Sequence, residues 1–279
     1  MKPTSYIFCA LAVILIITGI ITCAVAGSIA NSDGIELFEG DVDENGNKVF
    51  RIDLSGRTIS RYELTIDDAN VNIYGGAEKS RIELVNINPN SYSYSINNRT
   101  ITLSDSLSIL SFFSFGGDGA GFKGLRYYFA SNDYSDAEKS VNIYIADSSA
   151  INIIDLTVEN GNVAVNDLNE SISYKINVGN GDIEVKSVIS NMDGQIDCTN
   201  GKVSLHDTYI KKLNVDIIKG EFEEILLSAG RNSYDLTAKS GTIYVGGADK
   251  GGEYDAVSTI EAAKVTVTVN KGDIIIDTR

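Results

Sequence analysis

The strongest constraint in this sequence is a short phrase that returns at a nearly fixed interval. Asn160-Gly161-Asn162-Val163, Asn180-Gly181-Asp182-Ile183 and Asn200-Gly201-Lys202-Val203 share a polar residue, a glycine, a second polar residue and an apolar one. Lys219-Gly220-Glu221-Phe222, Ser240-Gly241-Thr242-Ile243 and Lys271-Gly272-Asp273-Ile274 repeat the pattern. The glycines lie 20, 20, 19, 21 and 31 residues apart, and the last interval contains a glycine-rich loop from Gly246 to Gly252. A fixed period of this length is the signature of stacked repeats.

Each interval holds two alternating runs. One follows the glycine, as in Val163/Val165, Ile183/Val185, Val203/Leu205, Ile243/Val245 and Ile274/Ile276. The other precedes the next glycine, as in Tyr174/Ile176/Val178, Ile196/Cys198, Leu213/Val215/Ile217, Tyr234/Leu236/Ala238 and Val265/Val267/Val269. Period two means a strand with one buried face. The glycine permits a positive φ at the corner between the runs. Two strands per turn of about 20 residues predict an all-β chain built as a β-solenoid, a β-helix-like stack of repeats. Equivalent inward positions should then form ladders, taken in chain order as Ile176, Ile196, Val215, Leu236 and Val267.

Upstream, Ile35 to Ile145 alternates less regularly, in Tyr62/Leu64/Ile66, Val71/Ile73, Ile82/Leu84, Tyr92/Tyr94/Ile96, Ile101/Leu103 and Val141/Ile143/Ile145. It reads as the start of the same sheet system or its cap. The pattern fails between Ser104 and Asp136, where most of the phenylalanines gather. The expected organisation is therefore an N-terminal segment 1–30, an N-terminal β region 31–140 with an apolar insertion at 104–136, and a repeat region 141–279 continuous with it. The insertion either caps the open end of the stack or faces a partner.

The first segment sets the compartment. Tyr6 to Ala26 runs uncharged for 21 residues, enough to cross a bilayer as a transmembrane helix. Lys2 precedes it and six carboxylates between Asp33 and Glu44 follow it. Positive charge stays inside, so the C-terminal domain is expected to be extracellular on a single-pass cell-membrane anchor. Ala24-Val25-Ala26 is also an acceptable cleavage site, in which case the chain is secreted. Thr22 before Cys23 makes a poor lipoprotein site. Beyond Cys9 and Cys23 only Cys198 remains, so neither a disulfide framework nor a zinc cluster can be assembled. The net charge of −15 gives no basic footprint for nucleic acid, and it keeps a β-rich surface soluble.

These residues resemble a family of bacterial envelope proteins called putative adhesins. The matching features are the N-terminal span, the strand pair Tyr62-Glu63-Leu64-Thr65-Ile66 and Asn70-Val71-Asn72-Ile73-Tyr74, the strand Val141-Asn142-Ile143-Tyr144-Ile145, and the Gly-Asp-Ile-like repeats. The likeness covers about residues 50–277. Ala146 stands where that family often has proline. The resemblance implies a surface-exposed β-helical domain with roles in adhesion or envelope stress, and it carries over no catalytic residue.

Few motifs point to chemistry. Asp41, Asp43 and Asn45 with Gly46 match the first half of a calcium loop. Position 12 of that loop is Ile52 rather than Glu, and Asn45-Gly46 equally forms a hairpin turn. Gly119-Ala-Gly121-Phe-Lys-Gly124 fits the dinucleotide glycine pattern without a βαβ unit around it. Ser204, His206 and Asp207 have the composition of a hydrolase triad, but neighbours on one strand cannot aim at one another. Cys198 occupies an inward position as a small hydrophobe. Asp155, Glu159, Asp167, Glu170, Asp182, Glu184, Asp193, Asp197 and Asp207 are scattered carboxylates of a solvated face. Asn98-Arg-Thr100 and Asn169-Glu-Ser171 are formal glycosylation sequons. The expectation is a non-enzymatic scaffold without cofactor, with the membrane and an envelope protein or polysaccharide as partners. The alternative is a carbohydrate-active β-helix enzyme acting on envelope or extracellular glycans through paired carboxylates.

Overall fold

The computed structural model describes residues 41–87, 92–105, 137–169, 171–226, 232–258 and 263–278. The apolar run Tyr6–Ala26, the glycine pattern Gly119–Gly124, Glu170 and most of the insertion lie outside the described residues.

All regular structure among the described residues is β-strand. The chain begins with β1 (Asp41–Val42), β2 (Lys48–Asp53), β3 (Arg61–Asp68), β4 (Asn70–Tyr74), β5 (Arg81–Val85), β6 (Tyr92–Asn97), β7 (Thr100–Asp105) and β8 (Ser140–Tyr144). Four regular coils follow, each a long strand, a glycine corner and a short strand. They are β9 (Ile153–Asn160) with β10 (Val163–Asn166), β11 (Ser173–Asn180) with β12 (Ile183–Lys186), β13 (Ile189–Asn200) with β14 (Val203–His206), and β15 (Tyr209–Lys219) with β16 (Phe222–Leu226). The chain ends with β17 (Asn232–Ala238), β18 (Ile243–Val245), β19 (Ala248–Asp249), β20 (Glu253–Ala256), β21 (Ala263–Lys271) and β22 (Ile274–Thr278).

Two sheets result. The long strands form a ten-stranded sheet in the order β6-β7-β3-β9-β11-β13-β15-β21-β17-β20. The short strands form a twelve-stranded sheet in the order β1-β2-β5-β8-β4-β10-β12-β14-β16-β22-β18-β19. Pairing is parallel along the stack. It turns antiparallel at both ends, where β6 pairs β7, β5 pairs β8, β20 pairs β17 and β19 pairs β18. Residues from both sheets share one apolar core, as alternation with one buried face requires.

The inward ladders exist, with one correction. Ile176 pairs Ile196, which pairs Val215, but the next rung is Val267 and only then Leu236. The final coil, β21–β22, is inserted between β15–β16 and β17–β18. The opposite end is interleaved in the same way, because β3 lies between β7 and β9. Chain order and stacking order therefore part company at both ends. Any aliphatic coil can sit on any other, so alternation alone does not choose the neighbour.

The corners explain the glycines. Gly161, Gly181, Gly201, Gly220 and Gly272 have φ between 133° and 154°, a region that side chains disfavour. Each also lies against the coil below. A Cβ on Gly201 would stand 1.9 Å from the carbonyl oxygen of Gly181, and one on Gly220 would stand 1.7 Å from that of Gly201. The residue after the glycine stitches adjacent coils. The Asn162 side-chain oxygen accepts from the Asp182 backbone N–H at 2.8 Å, and Asp182 Oδ1 accepts from the Lys202 N–H at 2.8 Å. The residue before it forms an amide ladder, with Asn200 donating to Asn180 at 2.9 Å and Asn180 donating to Asn160 at 3.0 Å.

Candidate functional site: a cleft at one end of the stack

The corners opposite the glycines are loops of unequal length, and at the β1–β8 end they leave a cleft of about 320 Å³. It forms where the segments entering β3, leaving β4 and entering β9 meet. Leu54, Ile59, Tyr62 and Ile151, all buried, make its floor. Arg57, Glu78, Lys79 and Asp147 stand at its mouth, all exposed. Ser55, Thr58 and Ser80 also line it. Two hydrogen bonds brace the walls, from Leu54 N to Ser80 O at 3.1 Å and from Ala146 N to Ser80 Oγ at 3.0 Å. Hydrogen bonds from Ser149 hold the Asp147 carboxyl below its ordinary range. Those from Ser55 do the same for the neighbouring Asp53, with smaller contributions from Lys79 and Arg57.

Tyr62 belongs to an inward ladder that also contains Tyr174 and Tyr234. Its rungs run Tyr62, Ile154, Tyr174, Gly194, Leu213, Val265 and Tyr234. The Tyr174 and Tyr234 hydroxyls are sealed from solvent and lack a hydrogen-bond partner. The Tyr62 ring is 2% exposed and lines the cleft. Burial alone raises its phenol to about 12.

A second hollow, lined by Asp68, Ala69, Asn70, Glu138, Lys139 and Gly161, borders residues outside the described set.

The residues singled out for chemistry do not converge. Asp41 pairs with Arg51 at 2.6 Å. Asp43 Oδ1 accepts from the backbone N–H groups of Asn45 and Asn47 at 2.9 and 2.8 Å, and its Oδ2 accepts from the Asn47 amide at 3.0 Å. Gly46 carries φ 81°, and the segment folds as the hairpin joining β1 to β2. His206 faces outward with Nε2 3.8 Å from Glu184, on the same short strand as Ser204. The Asp207 oxygen Oδ1 is sealed without a partner. Cys198 is buried, and desolvation first, then the nearby Asp182 charge, pushes its thiol up to about 11. Asp197 and Asp216 occupy adjacent rungs of the long-strand sheet. Burial first, with the Asp216 charge also contributing, raises the Asp197 carboxyl. Among the described residues no group of three or more His, Cys, Asp or Glu is placed to hold a metal.

The outer face of the short-strand sheet carries Tyr144 and Tyr74, stacked with ring centroids 5.3 Å apart. Arg81 covers the other face of Tyr144 at 3.8 Å. Both faces of Tyr144 are thus occupied, so it offers no platform to a flat ligand. Glu83 sits beside this stack. Burial opposes its charge, but hydrogen bonds from Arg81 and Arg51, each 2.9 Å, outweigh that and hold its carboxyl below the ordinary range.

One buried carboxyl escaped sequence analysis. Glu224 stands in the inward ladder between Leu205 and Ile276 and is 1% exposed. Its Oε1 accepts from the Asn232 amide at 2.7 Å, while its Oε2 is sealed without a hydrogen bond. Desolvation raises its carboxyl to about 7. Aligning Phe222-Glu223-Glu224 on Val203-Ser204-Leu205 would have found it. Its charge interrupts the apolar alternation of the repeat.

No curated protein matches the chain. Among solved structures, a putative cell adhesion protein from Clostridium sporogenes is 12% identical, with a TM-score of 0.47, covering 84% of this chain and 99% of that one. A putative adhesin from Bacteroides fragilis is 10% identical, with a TM-score of 0.38, covering 83% and 97%. A putative adhesin from Parabacteroides distasonis is 11% identical, with a TM-score of 0.33, covering 87% and 99%. The family model described as Toastrack DUF4097 matches residues 59–278, from the loop before β3 to the last strand, and the chain belongs to that family.

Proposed function

We propose that this chain is an extracellular β-repeat scaffold, held to the cell membrane by Tyr6–Ala26, that binds a protein or polysaccharide of the envelope without catalysis. The observation that carries the reading is the outer face of the long-strand sheet. Thr65, Thr157, Asn177, Asp197, Asp216, Thr268 and Thr237 form one continuous outward row. At about 4.8 Å per rung the row extends roughly 29 Å. A long, regularly spaced polar surface suits an extended polymer better than a small reacting group.

The test is binding of the labelled chain to intact envelopes, with and without prior periodate or protease treatment. Periodate-sensitive binding indicates a glycan and protease-sensitive binding a protein; absence of binding in all conditions sinks the reading. The anchor is tested separately by alkaline carbonate extraction, which releases a chain that is not embedded in the membrane.

A second reading rests on Asp197 and Asp216, whose adjacent rungs and raised Asp197 carboxyl resemble the acid half of a glycosidase pair. Neither cleft described above contains them. Release of reducing sugar ends from envelope glycans, abolished by Asp197→Asn, would establish that reading in place of the first.

A further inference from the structure

The cleft floored by Tyr62 has the chemistry of a binding site for an uncharged, hydroxyl-rich molecule. Three tyrosines share one ladder, but only Tyr62 both lines the cleft and escapes the set of sealed, unpartnered hydroxyls. None of the hydrogen bonds among the described residues engages its hydroxyl. The phenol is protonated across the physiological range, as an ordinary tyrosine is, and burial only raises it further. A nearly buried O–H donor beside an open cleft invites an external acceptor.

The rest of the lining narrows the acceptor's class. Arg57 and Lys79 at the mouth are offset by Glu78 and Asp147. An anion or a cation therefore meets no net complementary charge. Leu54, Ile59 and Ile151 supply an apolar floor, and Thr58 and Ser55 supply hydroxyls at the side. Ser80 already accepts from Ala146 N–H and keeps its own hydrogen to donate. An apolar floor under a rim of mixed donors and acceptors matches a sugar ring, which has a C–H face and an edge of hydroxyls. The volume of about 320 Å³ lies at the small end of ligand sites, so it takes a short unit of a polymer.

The geometry points to this cleft as a subsite for a neutral glycosyl unit of an envelope polysaccharide, with the Tyr62 hydroxyl donating to a sugar oxygen. This rests on the scaffold reading above and adds the place and the ligand class.

The experiment uses the full-length chain in mild detergent. It is screened on an array of neutral, N-acetylated and uronic-acid oligosaccharides, with inorganic phosphate titrated as a control for charge. The expected result is binding to at least one neutral glycan, weakened tenfold or more by Tyr62→Phe. The unfolding temperature of Tyr62→Phe should match the parent chain, because no hydrogen bond among the described residues engages the hydroxyl. Tyr174→Phe, which removes a sealed hydroxyl from the same ladder, should bind as the parent does. If Tyr62→Phe fails to fold, Thr58→Ala at the exposed rim serves instead and should weaken binding several-fold.

Equal binding by parent and Tyr62→Phe overturns the assignment, as does a preference for phosphate or for uronic acids alone. Failure to bind any neutral glycan overturns it as well. The scaffold reading survives any of these results if envelope binding persists. Both fall if the chain binds neither the array nor envelopes.

Discussion

The regular middle of the stack and its C-terminal end use the same coil but assemble it differently. From β9 to β16 each coil rests on the one before it in the chain. Beyond β16 the chain skips a rung, builds β17–β18 as the outermost coil, closes its edges with β19 and β20, and returns to fill the gap with β21–β22. The coil itself is a local property, set by alternation and a glycine corner. The choice of neighbour is non-local and depends on which edge is open. Interleaving traps the last segment between two earlier ones, and the antiparallel strands cover edges that would otherwise be templates for association.

The largest expected effect tests whether the corner is local chemistry common to both regions. Gly201→Val forces a β-branched residue to φ 154° and drives its Cβ into the Gly181 carbonyl. A loss above about 4 kcal/mol, or no cooperative fold at all, is expected from the urea midpoint. Gly247→Val carries only the φ 75° strain, because nothing lies within 4 Å of a Cβ there. Its loss should be nearer about 1–3 kcal/mol. Equal losses would mean that close stacking at the corner contributes nothing.

Hydrogen exchange sharpens the contrast in stacking order. β21 is flanked by parallel strands on both sides, whereas β17 has the short antiparallel β20 on one side. Amides of β21 should therefore exchange more slowly than those of β17, although β21 is closer to the chain's end. If residues 263–278 exchanged fastest, as simple fraying predicts, the interleaved order would be wrong.

These differences also mark where reading the sequence succeeds. The coil length, the two strands and the glycine corner were all legible, because the steric demand at Gly181 or Gly201 recurs in every repeat. The swap of Leu236 and Val267 was not legible. Both are aliphatic and fit an inward position, and only the pairing places Val267 next to Val215 with Leu236 one rung beyond. Of the candidate cleft, Tyr62 was marked as a core residue and Ala146 only as a departure from the family's proline. The remaining lining comes from three loops distant in sequence, which carry no pattern until the strands bring them together. Glu224 was missed because a charge in an apolar ladder looks like the absence of a strand.

The two buried glutamates extend the comparison to electrostatics at a smaller scale. Glu83, near the β1–β8 end, has two arginines; Glu224, near the other end, has none among the described residues. Among the described residues the titratable groups around Glu224 are Tyr234 and, beyond it, Tyr254. With its carboxyl at about 7 in the folded chain against an ordinary 4.5, the folded state holds the proton more tightly. Its contribution is fully present below about pH 4.5, falls as pH rises to about 7, and is level above that. The rise from 4.5 to about 7 makes the change roughly 3 kcal/mol. Glu224→Gln keeps an acceptor for Asn232 and should flatten urea midpoints measured across that window. A parent chain whose stability is level over the same range would show that Glu224 is not held protonated.

The smallest effect is expected at the β1–β2 hairpin, where Asp41, Asp43 and Asn45 raise the question of calcium. A cation there must compete with the three donors on Asp43 and with Arg51 on Asp41. The hydrogen bonds from Asn47 already hold the Asp43 carboxyl below its ordinary range, so the charged form is satisfied without a metal. The turn lies at an exposed edge, where β1 contributes two residues and, among the described residues, pairs only with β2. Millimolar calcium should therefore leave the unfolding temperature unchanged. Asp43→Ala should lower it slightly, through loss of the turn's hydrogen bonds, and to the same degree with or without calcium. A calcium-dependent rise in the parent chain that Asp43→Ala abolishes would instead establish the loop as a metal site, and it would show that the hairpin rearranges to free its carboxylates.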